Sequence, residues 1–260
     1  MVKIATPISH LFNDRSTAEE IIAASDCLEV RENSLKSDWP REHLFHFDID
    51  INHEWDEEKR KFLNIAFNHK PDLQLISFQA TTCCSSPKLE DNMFEVGGKI
   101  WSREEMMNSS IKNIDWLRKT VDSDIMIAIE NNNYYPTKAY DVVTDGEFLS
   151  EIVYENNIYL LFDIAHALIT AQNQSQDYSR YKETLPLDRI IQLHICKPDL
   201  SSRIAYDSHE KPNASIYEEV FSLITEYPTI EYLTVEYYKE KESLIDSIKH
   251  LKHSLDFELA

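Results

Sequence analysis

What most constrains this chain is a recurrence. A short apolar, strand-like run returns eight times, at intervals of roughly 20 to 50 residues, with helical patterns between. The runs span 3–9, 26–32, 44–51, 73–80, 125–131, 158–165, 189–196 and 232–238. Several are continuous rather than alternating, as in Ile125-Met126-Ile127-Ala128-Ile129. A strand buried on both faces reads that way, as in a parallel sheet covered by helices. The intervening segments carry helix start signals. Ser16-Thr17-Ala18-Glu19 reads as a capping box before Ile21 and Ile22, and Ser102-Arg103-Glu104-Glu105 as another before Met107, Ile111, Ile114 and Leu117. Thr144 and Ser215 open two more such patterns, and Leu244, Ile248, Leu251 and Leu255 mark a last helix. Eight strands alternating with helices give either an open doubly wound sheet or a closed (β/α)8 TIM barrel. The count favours the barrel, as one domain over residues 1–260. The long irregular stretches 81–99 and 197–213 follow the fourth and seventh strands, which predicts that they lie over the catalytic rim.

Composition narrows the function classes. A formal net charge of −20 argues against a nucleic-acid partner, because a phosphate backbone needs Lys and Arg opposite it. Gly97, Gly98 and Gly146 are the only glycines, so neither GxGxxG nor a P-loop can be built. No run approaches the roughly 18 apolar residues of a membrane helix. The start, Met1 to Pro7, has no charged region followed by an apolar one, and Cys27, Cys83, Cys84 and Cys196 show no framework spacing. These features lead us to expect a cytoplasmic protein with reduced thiols.

The chemistry-bearing residues fall where a barrel would use them. Glu130 ends the fifth run, Asp163 lies near the end of the sixth with His166 beyond it, His194 is near the end of the seventh, Asp207 and His209 sit in the loop that follows, and Glu236 is near the end of the eighth. In a barrel these ends form one rim on which side chains of different strands converge. Carboxylates and imidazoles brought together there need a counter-cation. A set of nitrogen and oxygen ligands without thiolate suits iron, zinc or manganese. Strand order suggests one ion between Glu130, Asp163, His194 and Glu236, and a second held by His166, Asp207 and His209. A third would draw on His46 of the third run, with Glu130 as a bridge; His10 and His53 are less well placed. Cys83 and Cys84 read as loop thiols and Cys196 as packing, while Asn131, Tyr134 and Tyr135 could support or line the mouth.

These residues resemble the multinuclear non-haem iron-dependent oxidative enzymes, a branch of the xylose-isomerase-like barrels, over nearly the whole chain. Cys27-Leu28-Glu29-Val30-Arg31-Glu32-Asn33 looks like that family's early strand ending in Glu-Asn. His46 falls at its metal-binding histidine, and Ile129-Glu130-Asn131 is similar to its Glu-Asn strand end. The stretch from Leu161 through Asp163 and His166 to Asn173, then Gln192-Leu193-His194-Ile195, Asp207-Ser208-His209 and Thr234-Val235-Glu236, resembles its remaining elements. Two departures stand out: Ser77-Phe78-Gln79 replaces Ser-Glu-His on the fourth strand, and His166 stands where the family often has Asn. The resemblance implies two, in some members three, iron ions and O2-dependent oxidation of a residue, often cysteine, in a ribosomally made precursor peptide, with a small partner protein presenting the peptide. It implies Glu130, His194 and Glu236 as catalytic ligands, with Asp163, of the reactive iron. The same quartet also resembles the single-metal site of sugar or sugar-phosphate isomerases and epimerases, where paired carboxylates ligate the metal and shuttle protons. His166 resembles zinc phosphodiesterases of the endonuclease four type, which the acidic charge counts against.

Overall fold

A computed structural model describes residues 2–258. In chain order its elements begin with β1 (Lys3–Pro7), α1 (Arg15–Ala24), β2 (Cys27–Val30), β3 (Glu42–Asp50), α2 (Glu57–His69) and β4 (Leu75–Gln79). Then come β5 (Lys88–Glu90), β6 (Met93–Glu95), α3 (Arg103–Thr120), β7 (Met126–Glu130), α4 (Gly146–Glu155) and β8 (Tyr159–Asp163). The chain continues through α5 (Ile164–Asn173), α6 (Tyr178–Lys182), β9 (Ile190–Ile195), β10 (Lys197–Asp199) and β11 (Tyr206–Glu210). It closes with α7 (Ala214–Glu226), β12 (Tyr232–Val235) and α8 (Lys241–Glu258). Eight strands form a closed barrel in the order β1-β12-β9-β8-β7-β4-β3-β2, and every pairing within it is parallel. Each of the eight apolar runs supplies one barrel strand.

Side-chain alternation divides these strands between two layers. One set, including Ile4, Leu28, Phe45, Phe78, Ile129, Phe162, Leu193 and Leu233, packs with the helices in one large core. The other is a small separate cluster with one residue from each barrel strand: Ala5, Cys27, Leu44, Leu75, Ala128, Leu161, Ile191 and Tyr232. It forms an apolar floor. Two positions further along their strands, the same face presents Glu29, His46, Ser77, Glu130, Asp163 and Thr234, all buried. A period of two therefore lifts the chain from an apolar plug to a polar layer within one step.

Both long loops are structured. The first contains the hairpin β5–β6, turned by Asp91 and Asn92, which both take positive φ; the second contains the hairpin β10–β11. Three helix starts differ from the sequence expectation. Asp14, Asp145 and Asn213 provide the caps for α1, α4 and α7, where Ser16, Thr144 and Ser215 were expected; their side-chain oxygens accept first-turn N–H groups, those of Thr17, Glu147 and Ile216. The Ser102 capping box of α3 forms as expected. Among the described residues no helix is long and apolar enough to cross a membrane.

Candidate metal centre

The floor, the strand ends and the second hairpin bring four imidazoles and five carboxylates together. Glu29 comes from β2, His46 from β3, Glu130 from β7, Asp163 from β8 and His194 from β9. Glu236 follows β12, its backbone N–H still held by the Ile195 carbonyl at 2.9 Å. Asp207 and His209 lie two apart on β11, so both face the cluster, while Ser208 between them turns away to the Lys197 carbonyl.

Three of the four imidazoles, those of His194, His166 and His46, are aimed by a hydrogen bond on one nitrogen. His194 is fully buried; its Nε2–H donates to Glu29 Oε2 at 2.9 Å. That leaves Nδ1 facing Glu130 Oε1 at 3.2 Å and Glu236 Oε1 at 3.3 Å, and Nδ1 has no hydrogen-bond partner. His166 Nδ1–H donates to the Asn131 carbonyl at 2.9 Å, turning Nε2 toward Asp207 Oδ2 at 3.6 Å and Asp163 Oδ2 at 3.9 Å. His209 Nε2 stands 3.1 Å from Asp207 Oδ2 and 3.6 Å from Glu236 Oε2. His46 Nδ1 bonds Ser77 Oγ at 2.9 Å, and its Nε2 is 3.4 Å from Glu130 Oε2. Backing an imidazole on one nitrogen so that the other points at a metal is a recurrent feature of metal sites.

The carboxylates are held as firmly. Asp163 ends β8 and caps α5: Oδ1 accepts from the His166 N–H at 2.7 Å, while Oδ2 is buried without a partner. Asn131 clamps that turn, donating to the Asp163 carbonyl at 2.9 Å and accepting its N–H at 2.8 Å. Glu130 and Glu236 each point their two oxygens at different imidazoles. Three sets have ligand atoms within 4.8 Å of one another: Glu29, His194 and Glu236; Glu130, Asp163 and His166; Asp207, His209 and Glu236. This differs from the grouping read from strand order, because the Asn131 carbonyl swings His166 toward Asp163 and Glu130 as well as Asp207.

Charge and burial oppose each other here. Burial pushes the Asp163 carboxyl up to about 7, since the nearby carboxylates add to it and only His166 opposes. Burial would also lower His194 and His166, but the surrounding carboxylates outweigh it and hold both well above an ordinary imidazole. Glu29 is held at about 2 despite burial, by His194 and Arg31. The cluster thus draws in positive charge from whatever source offers it. Its oxygen and nitrogen donors, with two buried ligand atoms unpartnered, fit iron, zinc or manganese.

The sequence reading missed Glu29 and Arg31. It placed the second strand's carboxylate at Glu32, but Glu32 lies in a 3-10 turn after the strand, and Glu29 points inward two residues after the floor residue Cys27. Counting by twos from Cys27 would have found it. Arg31 forms an ion pair with Glu29 Oε1 at 2.6 Å and also contacts Glu236. His53 lies apart from the cluster, on Asp50 and the Thr82 carbonyl. Cys83 and Cys84 are buried in the loop, Cys83 donating to the Lys138 carbonyl. Cys196 does approach, its thiol 3.2 Å from Asp207 Oδ1, and burial raises its pKa.

Fold and site together define a (β/α)8 barrel with a carboxylate–histidine cluster at the C-terminal ends of its strands. A family model described as RiPP precursor modification enzyme MbnB/TglH/ChrH matches residues 100–256, and the chain belongs to that family. A "UPF0276 protein" of Caulobacter vibrioides is 28% identical over 109 residues, covering 42% of this chain and 38% of that relative. The chain therefore spans well under half the length of that relative. Among solved structures, a D-tagatose 3-epimerase-like protein superposes with a TM-score of 0.65 at 18% identity, covering 100% of both chains. A xylose isomerase-like TIM barrel protein from Mycobacterium smegmatis gives 0.56 at 11% identity, covering 100% of this chain and 98% of that one. At these identities the likeness is one of fold.

Proposed function

We propose that this chain is a multinuclear iron-dependent oxidative enzyme that uses O2 to oxidise a residue, a cysteine, of a ribosomally made precursor peptide presented by a small partner protein. The observation that carries the reading is the convergence of two unpartnered buried ligand atoms, His194 Nδ1 and Asp163 Oδ2, on a cluster of imidazoles and carboxylates, in a member of a peptide-modifying family. Glu130, Asp163 and His166 would hold one ion and Asp207, His209 and Glu236 its neighbour, with His194 Nδ1 between Glu130 and Glu236 and the oxygens of both glutamates spread between imidazoles. Iron held there supplies redox chemistry with O2. The protein's part is to fix the ligands and exclude water. Glu130, His194 and Glu236 are buried and shielded below by the apolar floor.

The mouth suits an extended peptide. A cavity of about 670 Å³ runs between the two hairpins, lined by Met93 near one, Ile204 and Tyr206 at the other and Tyr135 after β7, and it ends on Asp207. That volume lies within the range of small-ligand pockets and admits a few side chains. The test is elemental analysis of protein purified without oxygen, with spectra before and after air, followed by mass spectrometry of a cysteine-bearing precursor peptide. More than one iron per chain, an oxygen-sensitive spectrum and an oxidised peptide are expected. One manganese per chain with sugar isomerisation would favour the epimerase reading instead.

A further inference from the structure

Resting on that reading, we propose that Arg31 serves as a built-in cation of the cluster and, together with Gln79, limits it to two metal ions. A third ion drawing on His46, whose Nε2 stands 3.4 Å from Glu130 Oε2, is opposed by two features. The first is occupancy of the ligand atom. Thr81 Oγ1 donates to Gln79 Oε1 at 2.9 Å, which turns the Gln79 amide nitrogen to His46 Nε2 at 3.1 Å. With Nδ1–H spent on Ser77, the Nε2 lone pair accepts from that amide and has nothing left for a cation.

The second feature is charge. The cluster holds five carboxylates: Glu29, Glu130, Asp163, Asp207 and Glu236. Arg31 enters it from the end of β2, pairs ionically with Glu29 at 2.6 Å and contacts Glu236. A guanidinium does not lose its proton in a protein, so it stays a permanent charge. Five negative charges less one leave four, which two divalent ions neutralise with the imidazoles uncharged. A third divalent ion would leave two excess positive charges in a site where every carboxylate but Asp207 is buried, and uncompensated buried charge is expensive.

The experiment is saturation of the full chain with ferrous iron without oxygen, desalting, and iron per chain by elemental analysis, with thermal unfolding to confirm folding. Wild type and Gln79→His retain two ions. The double variant Arg31→Gln/Gln79→His, with both closures removed, retains three. Arg31→Lys/Gln79→His keeps the charge and stays at two. Three ions in the wild type overturn the proposal and leave the function reading intact, as does a folded Arg31→Gln/Gln79→His that stays at two, or Arg31→Lys/Gln79→His reaching three. If Arg31→Gln fails to fold, the wild-type and Gln79→His counts decide, three in either being the refuting result. A wild type that retains no iron defeats both readings.

Discussion

Replacing Glu29 by glutamine removes one charge and almost no volume from the most buried part of the cluster. Glu29 accepts from His194 and Gln192, and is paired with Arg31. Its carboxyl is held at about 2 against an ordinary 4.5, because His194 and Arg31 outweigh the burial that would raise it. A depressed carboxyl contributes stability that is present above the ordinary value and is lost as pH falls through the lowered one. At neutral pH the whole contribution is in force. At ~1.4 kcal/mol per pH unit it comes to about 3 kcal/mol. Glutamine mimics the uncharged acid, so Glu29→Gln should lose about that much. For a chain of this size the thermal midpoint of the metal-free protein should fall by about 6 to 12 °C. A second effect is separable. Glu29 fixes the His194 ring with Nδ1 toward Glu130 and Glu236, and loss of such an orienting partner typically weakens metal binding by about 10- to 100-fold. Circular-dichroism melting reads the first effect and ferrous titration without oxygen reads the second. A variant that melts within about 2 °C of wild type and binds iron within about twofold would refute the reasoning, since Glu29 would then neither stabilise the charges nor aim the ligand.

Two further outcomes follow from the same geometry. The carboxylates hold His166 and His194 well above the ordinary imidazole value, so the metal-free site carries protons that an ion must displace; iron affinity should rise as pH is raised through neutrality, with proton release visible in weakly buffered calorimetry, and a flat profile would contradict this. At the opposite end of the barrel, buried Lys70 bonds Glu42 at the start of β3 at 2.5 Å, and Lys70→Met removes the cation paired with that buried carboxylate, which keeps only its Ser37 and Trp39 donors, at a cost of about 3 kcal/mol read as a lower thermal midpoint with unchanged iron content.

The barrel was legible because its strands must be apolar on both faces. Ile127, Ala128 and Ile129 alternate between the helical layer and the floor, so the run shows no polar break until Glu130. Glu130 and Asp163 come where such apolar runs end, which marked the face that carries chemistry. The hairpins β5–β6 and β10–β11 were not legible. Their strands are short and largely exposed, so no apolar pattern marks them, and the first rests on the positive φ of Asp91 and Asn92. The starts of α1, α4 and α7 were misplaced for a related reason. Asp14, Ser16 and Thr17 can all cap, and only the direction in which the chain leaves the barrel chooses among them.

The cluster shows where reading a strand end from its last acidic residue breaks down. Glu130 and Asp163 end their strands, so position alone identified them. Glu29 lies inside β2, and the more visible Glu32 belongs to the next turn. What selects Glu29 is the layer: Cys27 belongs to the floor, and two residues later the same face meets His194. A charged pair such as Glu29 and Arg31, at i and i+2, resembles a solvated strand face in sequence. It becomes a buried ion pair only because barrel closure sets β2 against β1 and leaves both side chains facing Glu236 after β12. Closure is the step that no local pattern contains, and it decides how many positive charges the cluster already has before any metal arrives.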